Sequence, residues 1–365
     1  MKRLLCIISV LNAGGAETFL MKIHREIDKE KYQLDYCVMS EEKGVYEEEA
    51  LSLGGKIFRV PRKSKNPIKC FLGIKRVVKE NQYKHVIRVN EHSLSVIDLI
   101  AAKCGGATVL AMRSPITDSL NKLNKFLHKM FMFLPKTIPS VRFAPSTEAA
   151  EYAFGKGCVK KGKAQILHNG LIYDQYKFSK ESREKHRRDL GIENCTVIGH
   201  VGRFYNQKNH DFLIDIFKNI SEKDDNAKLV LVGVGELQEQ IRQKVKELSL
   251  DDKVLFLGRR SDVPELLSAF DVMVLPSLCE GMPNVVIEAQ ASGLPCVIAD
   301  TITPEADITG LVKYCSLNEN TDVWADEIFE SISNGRKETT DDFVREGYNL
   351  HQVIDKFIEL VFKEV

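Results

Sequence analysis

This chain lacks most of the features that mark a membrane-spanning, metal-binding or redox protein. Its nine cysteines include no C-x-x-C pair, which argues against a zinc or dithiol site and predicts reduced thiols packed in the core. No run approaches the roughly 20 consecutive apolar residues of a transmembrane helix. The opening apolar run, of about six residues, is shorter than that of a signal peptide, so we predict a first β-strand and a cytosolic protein.

The net charge is also close to zero, at +1, but the charges are divided unevenly along the chain. Residues 1–170 hold 29 basic against 16 acidic side chains, whereas the remaining residues hold 23 against 35. The aromatic and base-reading motifs of nucleic-acid-binding proteins are missing, so an anionic membrane surface is the better candidate partner for the basic part. We predict no nucleic-acid partner.

One segment of the basic part combines cations with apolar residues. It runs from Leu120 to Arg142 and reads LNKLNKFLHKMFMFLPKTIPSVR. Basic and apolar residues at helical spacing favour a helix that lies on the membrane interface, here the inner face of the cell membrane. The alternative is an ordinary amphipathic helix that covers a sheet and exposes its basic residues to solvent.

Predicted strands and helices alternate regularly, which favours parallel sheets in an α/β fold. A chain of 365 residues suits two domains of about 150 to 200 residues each. The predicted strands of the first half are Leu4–Val10, Tyr32–Met39, Lys56–Arg59, His85–Val89, Thr108–Met112 and Phe143–Pro145. Those of the second half are Thr196–Val201, Lys228–Val232, Val254–Leu257, Val272–Leu275, Pro295–Ile298 and Val312–Cys315. The crossing point is predicted near His168.

The strongest local signal is the run from Pro276 to Pro295, PSLCEGMPNVVIEAQASGLP, in which Glu280 and Glu288 stand on either side of a loop-to-helix junction. Pro283 suits the first turn of a helix, because its missing N–H is not needed there. The amides around Gly281 to Val285 are then available to an anion, since the first N–H groups of a helix have no internal partner. The alternative is a solvated helix start.

A second junction reads VIGHVGRFYNQKNHDFLIDIFKNI, with a predicted strand, a turn at Gly202, a basic loop and a helix from about His210. Arg203 and Lys208 bracket the loop. Beside the amides near Gly281 they can neutralise a diphosphate without a metal ion. The alternative is ordinary surface charge, but ligands of open α/β folds bind at this edge of the sheet. Gly233 and Gly235 follow the next predicted strand, but a lone G-x-G is a weak signal, and a tight turn is sufficient to explain it.

These motifs together resemble the retaining glycosyltransferases of family 4, which have the GT-B fold, and among them the branch that builds bacterial exopolysaccharide and capsule. The matching segments are NAGGAETFL, ILHNGLIYDQYKF, HVGRFYNQKNHDFLI, LVLVGVGEL, VLFLGRRSDVPELLSAFDVMVLPS and EGMPNVVIEAQASGLPCV. The resemblance implies two Rossmann-like domains that face each other across a cleft between donor and acceptor. Residues 1–170 would bind the acceptor and 171–344 the nucleotide sugar, with a C-terminal helix at about 345–365 packing back on the first domain.

The resemblance also assigns roles to individual residues. It places Arg203 and Lys208, with the Gly202 turn, on the donor diphosphate, and Glu288 on the ribose hydroxyls. Gly15, in the N-terminal GGAE turn, would close over the phosphates, and Arg260 would lie near the base. The sugar hydroxyls would contact Glu280 and the following residues Gly281, Met282, Pro283, Asn284 and Val285.

One position departs from the family pattern. Many relatives carry a histidine near the reacting sugar at the end of a strand, where this chain has Asn90 in KHVIRVNEHSLS. His92 lies two residues later and can replace that histidine only if the loop bends differently; otherwise it is a loop histidine with no catalytic part. Asn90 can still donate a hydrogen bond to a sugar. The general base stays unassigned.

The implied reaction is transfer of a hexose from a nucleotide diphosphate sugar to a lipid-linked or glycan acceptor, and the expected donor is a UDP-sugar. The chain has no D-x-D motif, which argues against a metal-bridged donor site, and we expect no metal and no cofactor. The alternatives are a nucleotide-sugar epimerase of the same fold and a catalytically weak nucleotide-binding partner subunit. An oxidoreductase is disfavoured, because the first strand leads to NAGGAE rather than to G-x-G-x-x-G.

Overall fold

The structure is a computed structural model that describes residues 1–12, 14–90, 92–114 and 122–362. The chain forms two compact units. The first unit comprises Met1–Gly170 together with Leu350–Val365, and the second comprises Leu171–Asn349.

The first unit is built on a sheet of seven parallel strands in the order β3-β2-β1-β4-β5-β6-β7. Its strands are β1 (Lys2–Ile8), β2 (Tyr32–Val38), β3 (Ile57–Arg59), β4 (His85–Val89), β5 (Val109–Arg113), β6 (Val141–Ala144) and β7 (Gln165–Ile166). Its helices are α1 (Gly15–Glu26), α2 (Glu47–Ser52), α3 (Pro67–Glu80), α4 (Val96–Gly105), α5 (Lys122–Met130), α6 (Phe133–Thr137), α7 (Thr147–Phe154) and α16 (Leu350–Val361).

The core of the first unit follows from its apolar strands. β1 is central and nearly all of it is buried, so the strand has lost the alternation of an exposed sheet, as expected for a parallel sheet covered on both faces. The C-terminal helix α16 belongs to this unit. Its Phe357 packs edge-on against Phe19 and Phe143, with ring centroids 6.1 Å apart in both pairs.

The second unit contains a six-stranded parallel sheet in the order β10-β9-β8-β11-β12-β13. Its strands are β8 (Thr196–Val201), β9 (Ala227–Val232), β10 (Val254–Gly258), β11 (Val272–Leu275), β12 (Cys296–Ala299) and β13 (Val312–Cys315). Its helices are α8 (Tyr173–Tyr176), α9 (Lys180–Leu190), α10 (His210–Lys223), α11 (Gln238–Glu247), α12 (Val263–Leu266), α13 (Asn284–Ala291), α14 (Thr321–Asn334) and α15 (Thr340–Arg345).

The strand order of the second sheet reverses between β8 and β11. Such a switch point leaves a crevice at the carboxyl ends of the strands, which is where open α/β sheets bind ligands. At the same place the sheet is packed very closely: a Cβ on Gly199 of β8 would lie 2.0 Å from the ring of Phe270. The prediction of two parallel, Rossmann-like sheets is confirmed.

The segment predicted as a membrane helix is divided into two short helices, α5 and α6, rather than one continuous helix. Residues 120 and 121 of that segment lie outside the described residues. Its apolar side chains Leu123, Phe126, Met130 and Phe133 are between 49% and 67% exposed, which is unusual for large apolar groups. In the described ranges no helix is both long and apolar enough to cross a bilayer.

Candidate active site

The loop after β8 is held by direct backbone contact with the loop after β9. Gly202 N–H donates to the carbonyl of Val232 at 2.9 Å, and Phe204 N–H donates to that of Val234 at 3.2 Å. A Cβ on Gly233 would lie 2.0 Å from the Gly202 carbonyl oxygen, and the backbone of Gly233 has φ +142°. The G-x-G of this segment therefore provides close approach between two loops, because only glycine fits there.

An ion pair joins this loop to the loop after β11. Lys208 Nζ lies 2.6 Å from Glu280 Oε1, and the Ser277 hydroxyl donates to the same oxygen at 3.0 Å. The backbone supports the pairing, since Leu278 N–H donates to the Gln207 carbonyl at 2.8 Å. The side chains of Lys208 and Glu280 are only 17% and 11% exposed. An ammonium group has three N–H donors, so Lys208 retains donors for a second anion.

The helix α13 begins directly after this loop, with Pro283 as its N-cap residue. No side chain caps this end of the helix. Within the described part of the chain, the amides of Gly281, Met282 and Val285 donate to no acceptor. Unpaired amides at a helix start attract anions, because the helix dipole adds partial positive charge there.

Glu288 stands on the second turn of α13 and interacts with Tyr176 of α8. Burial, followed by the charge of Glu288 and its hydrogen bond, raises the pKa of the Tyr176 phenol. The phenol therefore stays protonated and donates to the carboxylate. A tyrosine that holds a carboxylate in this way fixes its orientation, and a carboxylate can accept more than one hydrogen bond.

The two arginines predicted to bind the donor differ in their contacts with the protein. Arg203 is exposed, and its guanidinium lies over the ring of Tyr205 at 5.1 Å. Arg260 forms a bidentate ion pair with Asp262, at 2.7 and 2.5 Å. Its guanidinium is the main cause that lowers the pKa of the Asp262 carboxyl. The guanidinium of Arg260 is thus paired within its own loop, whereas that of Arg203 is exposed to solvent.

Two buried histidines lie beneath the loop after β8, and neither was predicted as a site residue. His200 and His210 have ring centroids 4.6 Å apart, and Phe204 stacks on His210 at 4.1 Å. Burial, followed by the nearby Lys208, lowers the pKa of His210 to about 4, and burial also lowers that of His200. Both imidazoles are neutral at pH 7 and leave the positive charge of the loop to Lys208 and Arg203.

In the first unit, Asn90 and His92 follow β4 and are fixed by short-range hydrogen bonds. The Asn90 side-chain carbonyl accepts His92 N–H at 2.8 Å, and His92 Nδ1 accepts Leu94 N–H at 3.1 Å. Because Nδ1 is an acceptor, the proton of the neutral ring resides on Nε2. The other polar atoms of these two side chains are thus an amide N–H₂ and an imidazole N–H, both of which are donors. Gly15 begins α1, and a Cβ there would meet no atom within 4 Å.

Asn90 and His92 line a cavity of about 780 Å³ at the carboxyl edge of the first sheet. Residues that follow β1 and β2 line the same cavity, as do Arg62 and Lys63 from the loop after β3. A volume of this size suits a small ligand or one to two sugar rings. The cationic wall of this cavity was not foreseen from the sequence.

The predicted residues thus divide between the two sheets. Gly202, Arg203 and Lys208 follow β8, and Glu280 to Val285 follow the adjacent β11, so the parallel order brings them to one edge of the second sheet. Asn90 and His92 lie at the carboxyl edge of the first sheet. Within the described residues, no group of three His, Cys, Asp or Glu side chains is placed to hold a metal ion.

Comparison with known proteins agrees with this architecture. Residues 182–350 match the family model "Glycosyl transferases group 1". The chain is 32% identical to the glycosyltransferase EpsF of Bacillus subtilis, over 98% of this chain and 96% of that protein. It is 25% identical to the UDP-Gal:alpha-D-GlcNAc-diphosphoundecaprenol alpha-1,3-galactosyltransferase of Escherichia coli, over 80% of this chain and 79% of that protein.

Among solved structures, Anabaena Alr3699/HepE in complex with UDP and glucose has a similar fold. It superposes with a TM-score of 0.78 at 19% identity, with both chains covered completely. A glycosyltransferase from Rickettsia africae superposes with a TM-score of 0.80 at 16% identity, over 100% of this chain and 99% of that chain. These neighbours confirm the GT-B fold. The match to the family model and the similarity to the Bacillus protein over nearly the whole of both chains show that this chain belongs to the group 1 glycosyl transferases.

Proposed function

We propose that this protein is a retaining hexosyltransferase that uses a UDP-sugar to extend a lipid-linked or glycan acceptor during cell-surface polysaccharide synthesis. The observation that carries the proposal is the Lys208–Glu280 pair, 2.6 Å apart, beside the amides of Gly281, Met282 and Val285, which donate to no acceptor among the described residues. A cation and several amides at one sheet edge suit a diphosphate, and the adjacent carboxylate suits the hydroxyls of its sugar.

The donor site would work by fixed electrostatics. Lys208, Arg203 and the amides of α13 would stabilise the charge that develops on the departing diphosphate, and none of them needs to reorganise as it forms. We therefore propose that the reaction requires no metal ion. Glu288 would accept from the ribose hydroxyls, held in place by Tyr176. Glu280 would orient the sugar rather than attack it, because its carboxylate is already paired with Lys208.

The acceptor would enter the cavity of the first unit. There the Asn90 side-chain oxygen accepts from His92 N–H and His92 Nδ1 accepts from Leu94 N–H, so the other polar atom of each side chain is an N–H donor. His92 is thus better suited to orient a sugar oxygen than to remove a proton from a hydroxyl. This supports a binding role for both residues in place of the histidine that many relatives carry.

The experiment that tests the proposal is release of nucleoside diphosphate across a panel of UDP- and GDP-linked sugars, with and without membrane lipid extract. A transferase releases UDP from one donor only when the extract is present, and Glu288→Ala lowers that release. Epimer formed from donor alone would identify an epimerase instead. Nucleotide binding without release under any condition would identify a non-catalytic partner subunit.

We also propose that the protein docks on the inner membrane surface through α5 and α6. Phe126 and Phe133 are 63% and 57% exposed, and lysines surround them in sequence. Buried large apolar side chains contribute about 1.5–3 kcal/mol each, so the Phe126→Ser, Phe133→Ser variant should lose at least about tenfold in affinity for phosphatidylglycerol vesicles in a flotation assay. The matched control is Ile68→Ser, Leu72→Ser on α3. An equal loss in both variants would contradict a specific docking face.

A further inference from the structure

Among the described residues, the wall of the cavity in the first unit carries more basic side chains than the neighbouring carboxylates neutralise. Asp98, which is 2% exposed, pairs with two cations at once: Lys63 Nζ lies 2.6 Å from Oδ1, and Arg88 Nε lies 2.9 Å from Oδ2. Both cations line the cavity, whereas Asp98 does not. Among the described residues one carboxylate therefore balances two cations, which leaves one positive charge on the described part of the wall.

Arg62 adds a second positive charge. It is exposed, and the one hydrogen bond of its guanidinium within the described residues is a long contact of 3.4 Å from Nη2 to the Ser40 hydroxyl. No described carboxylate lies within ion-pair distance of its guanidinium. The adjacent Arg59 differs, because it is paired with Glu47. Arg62 and Lys63 thus present two neighbouring cationic groups to one cavity.

A binding site for a neutral sugar does not need the positive charge that Arg62 and Lys63 place on this wall. Sugar hydroxyls are bound by uncharged or acidic groups, and Asn90, His92 and the serines of the wall already supply them. An arginine fork beside a lysine instead matches the oxygens of a phosphate, with charge-assisted hydrogen bonds.

The helix α5 connects this cavity to the exposed apolar surface. Asn124 of α5 lines the cavity, and His128 is buried, with its Nδ1 accepting Ser93 N–H at 3.1 Å. Leu123, Phe126 and Met130 of the same helix are exposed. A ligand whose sugar occupies the cavity therefore has the cations beside it and an apolar helix face close by.

We propose that Arg62 and Lys63 bind a phosphate group attached to the acceptor sugar, so that the protein selects anionic, phosphate-bearing acceptors over neutral glycans. This inference rests on the proposed function, because it takes the cavity of the first unit as the acceptor site. The phosphate can belong to a lipid-linked sugar diphosphate or to a sugar phosphate that carries no lipid. The probes below distinguish the two sources.

The test is equilibrium binding of three probes to the full chain: N-acetylglucosamine 1-phosphate, octyl N-acetylglucosaminide, and an N-acetylglucosaminyl octyl diphosphate. We expect both phosphate probes to bind at least about tenfold more tightly than the neutral glycoside. Arg62→Gln, Lys63→Gln should reduce that preference to less than about threefold. The single variant Arg62→Gln breaks no ion pair within the described residues and should reduce the preference in part. It is the control for the double variant, which also loses the Lys63–Asp98 ion pair and could fail to fold.

The matched control is Arg76→Gln, Lys79→Gln, which removes the same charge from exposed positions on α3 of the same unit. It should keep the wild-type preference; if it loses the preference equally, net charge rather than a site explains the binding, and the proposal is wrong. Equal affinity of wild type for charged and neutral probes also overturns it. The ranking of the two phosphate probes identifies the source of the phosphate. UDP binding is measured in parallel and is expected to be unchanged in every variant. A chain that binds no UDP would contradict the proposed donor site, which is a different result from a loss of the preference for phosphate probes.

Discussion

Replacing Lys208 with methionine is expected to lower turnover at least about a hundredfold, which corresponds to roughly 2.7 kcal/mol of lost transition-state stabilisation. Methionine keeps much of the apolar stem and removes the charge that would face the departing diphosphate. The measurement is steady-state release of nucleoside diphosphate from the preferred donor, with thermal unfolding followed in parallel. We expect a single cooperative transition to remain.

Two further variants make that result specific. Lys218→Met removes a lysine from α10 that forms an exposed i,i+4 pair with Glu222, and it should leave turnover within about twofold, because such pairs contribute little. The substitution at Lys208 also leaves Glu280 without its cation. The Lys208→Met, Glu280→Gln variant removes that charge as well, so recovery of activity in it would assign the loss to an unpaired carboxylate rather than to a missing phosphate contact.

The second large effect is expected for Glu288→Ala, which should raise the dissociation constant for UDP by about tenfold or more, since hydrogen bonds to a charged group contribute about 1.5–3 kcal/mol. Titration calorimetry with UDP and with 2′,3′-dideoxy-UDP separates the cause. The dideoxy ligand lacks the ribose hydroxyls, so wild type and variant should bind it with similar affinity. A loss of the same size for both ligands would mean that Glu288 acts on the structure of α13 and not on the ribose.

Tyr176 offers a graded check on the same contact. Its phenol is held by Glu288 and stays protonated, so Tyr176→Phe removes the hydrogen bond while the ring still packs. The expected rise in the UDP dissociation constant is smaller than for Glu288→Ala, because the carboxylate remains and only its orientation is lost.

Much of the fold could be predicted from the sequence, because the strands of a parallel sheet are short apolar runs with clear ends. His85–Val89, Thr196–Val201, Val272–Leu275 and Val312–Cys315 have the predicted bounds. The strand Gln165–Ile166 was missed, since it has two residues and is defined by its backbone pairing with β6 alone. The break between α5 and α6 was missed as well, because the apolar and basic pattern runs through both helices.

The candidate site could be predicted only where its residues are close in sequence. In the run that contains Glu280 and Glu288, the loop and the start of the helix could be predicted from neighbouring residues. The structure has the loop-to-helix junction at the predicted place. Contacts between distant positions left no such signal: Lys63 meets Asp98 across 35 positions, and Glu288 meets Tyr176 across more than a hundred. From the sequence, His200 is predicted only as part of a strand and His210 only as the start of a helix. Its position under the basic loop is a consequence of packing.

The most direct test of the donor site is the affinity of the wild-type chain for UDP compared with that for uridine, measured by titration calorimetry in buffer containing EDTA. If Lys208, Arg203 and the amides at the start of α13 hold the diphosphate without a metal ion, UDP should bind at least about a hundredfold more tightly than uridine. Equal affinities, or a preference for UDP that returns only when a divalent metal is added, would contradict the account.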